Sequence, residues 1–181
     1  ISYIGGLVGY LTTDNSGTSK IIRSYSTSVV DASTGLSTMQ AIGGLVGSAT
    51  QNNGSTLVID RSYATGEVKG RDGVGGLLGG AQDITIQNSY ATGSTTATDR
   101  RAAGLVGTMS SGSISNSYAT GLVTGPLANS GGLIGLLTRN IVQPTISNSF
   151  WDTQTTGKAS LYGELSGAVP VITNSIGLTT T

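Results

Sequence analysis

The chain has 181 residues, nine Lys and Arg against nine Asp and Glu, 29 Gly, no His and no Cys, and a hydrophobic content of 36%. A neutral balance without a run of either sign leaves no electrostatic footprint for nucleic acid or an anionic membrane surface, and low charge with this much apolar content does not fit a self-repelling disordered chain. Without His or Cys, His-based nucleophilic or general-base catalysis and His/Cys zinc sites are excluded.

The lack of Cys neither requires nor excludes secretion. The apolar stretches are a few residues long and broken by glycine, so neither a signal peptide nor a membrane-inserting span is read. The chain starts at Ile1, inside a repeat and without an initiator Met, as expected of a piece of something longer.

Two signatures alternate from the first residues onward. Gly5 to Gly9 opens the series and returns as Gly43-Gly44-Leu45-Val46-Gly47, Gly75-Gly76-Leu77-Leu78-Gly79, Ala103 to Gly107 and Gly131-Gly132-Leu133-Ile134-Gly135. Between these lie Ser24-Tyr25-Ser26-Thr27-Ser28, Ser62-Tyr63-Ala64-Thr65-Gly66, Ser89 to Gly93, Ser117 to Gly121 and Ser149-Phe150-Trp151-Asp152-Thr153. The glycine element steps by 38, 32, 28 and 28 residues and the aromatic element by 38, 27, 28 and 32. Self-similarity at such a period marks a stacked repeat.

Aligning the copies exposes rows. Leu7, Leu45, Leu77, Leu105 and Leu133 form one; Ile21, Ile59, Ile86, Ile114 and Ile146 stand four residues before the aromatics Tyr25, Tyr63, Tyr90, Tyr118 and Phe150. Five residues after the aromatics come Val30, Val68, Thr95, Val123 and Thr155, and Ile172-Thr173-Asn174-Ser175-Ile176 makes a sixth half-copy. Short β-branched runs bounded by Gly, Asn and Thr read as strands, and the glycine density argues against helix.

The expected fold is all-β: a parallel, right-handed β-solenoid of about five rungs of 28–38 residues. Each rung would hold three short strands, Ile-x-Asn-Ser-Tyr, Thr-Gly-x-Val and Gly-Gly-Leu-Val-Gly, with two rungs of half the length per repeat as the alternative. The Ile, aromatic and Val rows are expected inside. Whether Leu or Val of each Gly-Leu-Val-Gly faces the core stays open, with the parity of Ile4, Ile42 and Val74 tipping towards Val.

If Ile114 and Tyr118 shared a straight strand, Asn116 would point inward too, and with it Arg23 and Arg61 in the first two copies. Burying an unpaired Arg is too costly, so a bend at this position is expected. Asn suits it through its tolerance of left-handed backbone, and the Arg side chains would leave to solvent. Insertions at 11–20, 31–41, 48–57 and 136–145, with turn residues such as Asp14-Asn15-Ser16-Gly17 and Asn52-Asn53-Gly54, read as corner loops. The array is assigned to 1–150, and 151–181, interrupted by Pro170, to a terminal rung or cap.

These paired signatures resemble the GLUG-motif repeat of large bacterial surface proteins, including filamentous haemagglutinin-like adhesins and some immunoglobulin A peptidases. Ser149 to Gly157, with Gly177-Leu178-Thr179-Thr180 after it, looks like the close of such an array. Ala103 departs from the first glycine, and Arg23 and Arg61 from the usual Asn. The resemblance implies an extracellular stalk at the bacterial cell surface, with no catalytic residue to carry over. Its neighbours would be flanking domains of a longer parent, or further copies head to tail, with a cell-surface glycan or protein as a possible ligand.

No metal, cofactor or catalytic residue is assigned. Asp72 and Asp99 are the carboxylates nearest to a common corner in successive repeats, and a turn role is the expected one. Acids at fixed calcium-binding intervals are missing, and the glycines lack the partners of a phosphate loop; close backbone approach is their expected use. The aromatic row could be a sugar-stacking platform but is expected as an internal stack. Thr27, Thr65, Thr92 and Thr120 could order water as ice-binding solenoids do, but a strand-end ladder is expected. The functional expectation is a non-catalytic structural or adhesive module, with a carbohydrate-binding or carbohydrate-degrading β-helix and an ice-binding solenoid as alternatives.

Overall fold

A computed structural model describes residues 2–13, 17–34, 40–52, 54–138, 142–167 and 169–180. The chain winds into a parallel β-solenoid in which each repeat makes one coil. Tyr25 pairs with Tyr63, Tyr63 with Tyr90, Tyr90 with Tyr118 and Tyr118 with Phe150, so successive repeats stack directly and half-length rungs are excluded.

Each coil contributes five short strands rather than three, and these build five parallel sheets. The first sheet stacks Ser2–Gly5, Gln40–Gly43, Val74–Gly75, Ala102–Ala103 and Ser130–Gly131. The second stacks Val8–Thr13, Val46–Gln51, Leu78–Gln82, Val106–Met109, Ile134–Thr138 and Tyr162–Ser166. The third runs from Thr18–Ile22 through Thr56–Asp60, Ile84–Gln87, Gly112–Ser115 and Thr145–Ser147 to Val171–Thr173. The fourth joins Tyr25–Ser26, Tyr63–Ala64, Tyr90–Ala91, Tyr118–Ala119, Phe150–Asp152 and Ile176–Leu178; the fifth joins Val30–Asp31, Val68–Gly70, Thr95–Ala97 and Val123–Thr124. Strands were undercounted because a bend splits the glycine element after its leucine, and a second separates the isoleucine from the aromatic.

That second bend has the expected backbone. Arg23, Arg61, Asn88, Asn116, Asn148 and Asn174 all sit at φ between 47° and 51°. Arg23 and Arg61 extend to solvent there, and Arg61 Nε donates to Asp60 Oδ2 at 2.8 Å.

The cross-section holds two cores. The larger lies among the second, third and fourth sheets and collects the leucines of the bend (Leu45, Leu77, Leu105, Leu133), the strand residues after them (Val46, Leu78, Val106, Ile134) and the isoleucine row. Both Leu and Val of the motif therefore face inward, because the bend between them lets consecutive residues point the same way. The smaller core packs Val30, Val68 and Val123 of the fifth sheet against Ile42, Val74 and Ala102 of the first. The first and second sheets meet nearly backbone to backbone: a Cβ on Gly79 would lie 2.2 Å from the Ile42 nitrogen.

Three expectations need correction. The aromatic row lies outside. The fourth-sheet strands are only two residues long in most coils, and it is the alanine after each tyrosine (Ala64, Ala91, Ala119) that is fully buried. Thr155 does not continue the Val row, since it sits exposed in the short helix Thr153–Thr156. The described parts of the insertions 11–20 and 48–57 also carry strands: they lengthen the second and third sheets, pairing Thr12 with Thr50 and Thr18 with Thr56. Of the turn residues expected there, 14–16 and 53 lie outside the described residues, as do 35–39 and 139–141 of the two other insertions.

After Phe150, Trp151 takes the inward place held by alanine in earlier coils, and its Nε1 donates to the Lys158 carbonyl at 2.8 Å. Residues 162–178 then add one further strand to each of the second, third and fourth sheets.

Within the smaller core Thr95 stands where its neighbours are Val68 and Val123, fully buried, with a hydroxyl that has no hydrogen-bond partner. A buried unpaired hydroxyl costs roughly 1–3 kcal/mol. Thr95→Val is therefore expected to stabilise the protein by about 1 kcal/mol, read as a higher denaturant midpoint at unchanged slope.

Candidate functional site

The tripeptide after the left-handed corner generates the most distinctive surface. The corner turns the next amide, that of the serine, away from an ordinary strand partner. Instead, Ser24, Ser62, Ser89, Ser117 and Ser149 each donate N–H to the serine Oγ of the following coil, at 3.1–3.3 Å. Each accepting hydroxyl donates in turn to the carbonyl two residues before it, at 2.7 to 3.1 Å. Ser62, Ser89, Ser117 and Ser149 of this series are buried, and Ser24 and Ser175 half-buried. Its recurrence in six copies is the sequence signal for this role, which the rows of apolar residues do not reveal.

Anchored this way, the next residue projects outward in every coil. Tyr25, Tyr63, Tyr90 and Tyr118 stack face to face, with ring centroids 4.8–5.2 Å apart and planes within 8° of parallel. Phe150 and Ile176 continue the row. Thr27, Thr65, Thr92 and Thr120 flank it on the same exterior side, two residues on. The result is a straight stripe of aromatic edges and hydroxyls parallel to the solenoid axis.

The inner rings use both faces on each other, which leaves their edges for solvent; only the first ring, Tyr25 at 59% exposure, has no tyrosine stacked before it. The Tyr90 hydroxyl is pushed above its ordinary pKa, chiefly by burial and then by Tyr118 and Tyr63. Towards the last coils the stripe opens into an apolar groove lined by Tyr118, Thr120, Phe150, Asp152, Leu178 and Thr180.

The expected rows are accounted for as follows. Ile59, Ile86, Ile114 and Ile146 are fully buried and Ile21 nearly so, whereas Leu7, in the first coil, is 52% exposed although Leu45, Leu77, Leu105 and Leu133 are fully buried. Asp72 and Asp99 do share a corner, but each is paired with an arginine of the adjoining coil. Arg101 grips Asp72 with two nitrogens, Nε donating to Oδ1 at 2.7 Å, and Arg71 lies 3.6 Å from Asp99. Among the described residues no group of three or more acidic side chains is placed to hold a metal ion.

Three carboxylates have depressed pKa values, and the Ser33 hydroxyl and amide hold Asp31 low. The amide of Asn88 holds Asp60 low, against its burial and with help from Arg61. Burial alone would raise Asp152, but the amides of Thr155 and Gln154 and the Thr180 hydroxyl outweigh it. A folded pKa below the unfolded one adds stability that is complete above the unfolded value and lost as pH falls through the folded one. With no His or Cys to titrate, the thermal midpoint is expected to be flat from about pH 5 to 8 and to fall below about pH 4. Asp60→Asn should make the acid limb shallower.

The geometry defines a parallel β-solenoid repeat whose coils share one cross-section and one register. A family model described as the GLUG motif matches residues 70–97. That segment is one coil of the array, and the ladders place the corresponding residues of the other coils upon it, so the chain carries a GLUG motif set within a solenoid of like coils. No curated protein and no solved structure matches the chain.

Proposed function

We propose that the chain is a non-catalytic structural module of an extracellular bacterial surface protein: a stiff segment that spaces other domains and presents its outer stripe for contact. The observation that supports this most is the uninterrupted register. Five sheets, the buried serine series and the tyrosine stack run through successive coils with hydrogen bonds along the axis, an arrangement suited to rigidity. The candidate acids Asp72 and Asp99 are committed to inter-coil ion pairs, which gives them a structural use. Incubation with a panel of neutral and acidic polysaccharides should release no reducing or unsaturated ends. Reproducible release that disappears on Asp72→Asn or Asp99→Asn would replace this reading with that of a carbohydrate-degrading β-helix.

A second reading, glycan contact without cleavage, is favoured by the outward placement of the aromatic row. It predicts glycan-array binding that is lost when Tyr118 and Phe150, which border the apolar groove, are changed to Ala. Unchanged or absent binding leaves spacing as the role.

A further inference from the structure

The outward row of the second sheet is broken in the middle of the array. In successive coils it reads Tyr10, Ser48, Gly80, Thr108 and Leu136, each in register with the next. Gly80 is a glycine that the coil does not require. Its backbone is not left-handed, and a Cβ there would lie 3.2 Å from Ser48 Oγ and 3.3 Å from Ala41 Cβ. Those contacts ease with a small shift, whereas the neighbouring Gly79 would drive its Cβ to 2.2 Å from the Ile42 nitrogen. Other coils carry the larger Tyr10, Thr108 and Leu136 at the same place.

The missing side chain opens a recess of about 340 Å³ between the first and second sheets, centred on the second to fourth coils. Gly80 and Ala41 form an apolar floor, and Ser48, Thr50, Gln82 and Thr108 stand around it. Ser48 is only 7% exposed. Gln40 beside them spends its amide on the Ala32 carbonyl and the Arg71 amide, but among the described residues those four side chains have no hydrogen-bond partner. Arg101 closes one side, its charge already met by Asp72, and Tyr3, stacked on Tyr10 at 4.8 Å, closes the other.

We propose that this recess binds one neutral pyranose unit of a glycan. Its volume lies at the small end of ligand sites, enough for a single ring and its substituents. An apolar floor within a circle of hydroxyl and amide groups matches a sugar, which carries a C–H face and hydroxyls around its edge. Unspent polar groups penalise an apolar ligand of the same size, which would leave them dry. Arg101 is the one charged residue among the described lining residues, and its pairing with Asp72 leaves no net charge to hold an anion. The tyrosine stripe lies on the fourth sheet, so this site goes beyond the surface contact proposed above.

Saturation-transfer NMR with glucose, galactose, mannose and N-acetylglucosamine should show at least one of them bound by the wild-type protein, with glucuronic acid bound no better than glucose. Gly80→Leu supplies the side chain that Leu136 carries in the same row; it should abolish the transfer and leave the circular dichroism unchanged. Gln82→Ala/Thr108→Val removes polar groups without filling the recess and should weaken the bound sugar about tenfold. This second variant decides the matter if Gly80→Leu does not fold. Tyr118→Ala/Phe150→Ala should leave binding intact. No transfer to any of the four sugars, undiminished binding by a folded Gly80→Leu or by Gln82→Ala/Thr108→Val, or loss in the stripe variant alone overturns the site. Tighter binding of glucuronic acid overturns the neutral ligand.

Discussion

Gly104→Ala is expected to cost about 3 kcal/mol or more, enough to unfold several coils. The added Cβ would lie 2.3 Å from the Gly132 carbonyl oxygen in the next coil and 2.7 Å from Ala119 Cβ across the core. The same two contacts recur at Gly76, 2.2 Å from the Gly104 oxygen and 2.8 Å from Ala91 Cβ, and at Gly44 against Gly76 and Ala64. One neighbour is backbone and the other a methyl, so neither can rotate away. The second glycine of the glycine element and the alanine of the Ser-Tyr-Ala-Thr-Gly element thus face each other where the larger core is narrowest, which explains why the two signatures travel together. Gly104→Ala combined with Ala119→Gly should recover only part of the loss, because the carbonyl clash remains. Circular dichroism and denaturant titration of the single and double variants measure both effects, and a near wild-type midpoint for Gly104→Ala would show that the coils can move apart at little cost.

Arg101→Ala should be about as damaging, near 3–5 kcal/mol. The Asp72 side chain is 4% exposed and Arg101 18%, and the pair joins the third coil to the fourth at the corner leading into the first sheet. Removing the guanidinium leaves Asp72 accepting from the Gly73 amide, 2.8 Å away. The cost is that of a stranded buried charge rather than the net worth of the pair. Asp72→Asn/Arg101→Met, which removes both charges, should therefore recover most of the stability. If the double variant is no better than Arg101→Ala, the bidentate geometry itself is what the corner requires. The exposed pair Lys69–Glu67, 2.8 Å apart, should by contrast contribute little.

Much of this architecture was legible in the chain. The period favoured one coil per repeat with half-length rungs as the open alternative, the isoleucine row found its place, and the cost of burying Arg23 and Arg61 located a bend whose backbone is left-handed in all six copies. The aromatic row was misplaced for a reason that lies in the same bend. A left-handed residue resets which parity faces inward, so residues four apart across it do not share a side. The side facing in was signalled by the small residue that follows each tyrosine, opposite a glycine that never varies. The number of strands was hidden for a similar reason: Gly-Gly-Leu-Val-Gly reads as one strand, yet Leu45 and Val46 are both buried on either side of a bend. The corner between Asp72 and Arg101 could not be read at all, since it depends on residues 29 apart whose register the uneven repeat lengths conceal.

The hydrogen bonds between coils lie along the axis, and this has a mechanical consequence. A coil of 28 residues, the step between Tyr90 and Tyr118, adds only about 4.8 Å of height. If a load along the axis peels that coil from its neighbour, the same residues extend to roughly 90 Å. Each release therefore multiplies length nearly twentyfold while the remaining coils keep their shape. Stretched from its two ends, the chain should yield in successive steps of that size, larger for the two 38- and 32-residue windings near its start. Such a segment resists small displacements as a stiff rod and absorbs large ones by paying out slack, one winding at a time.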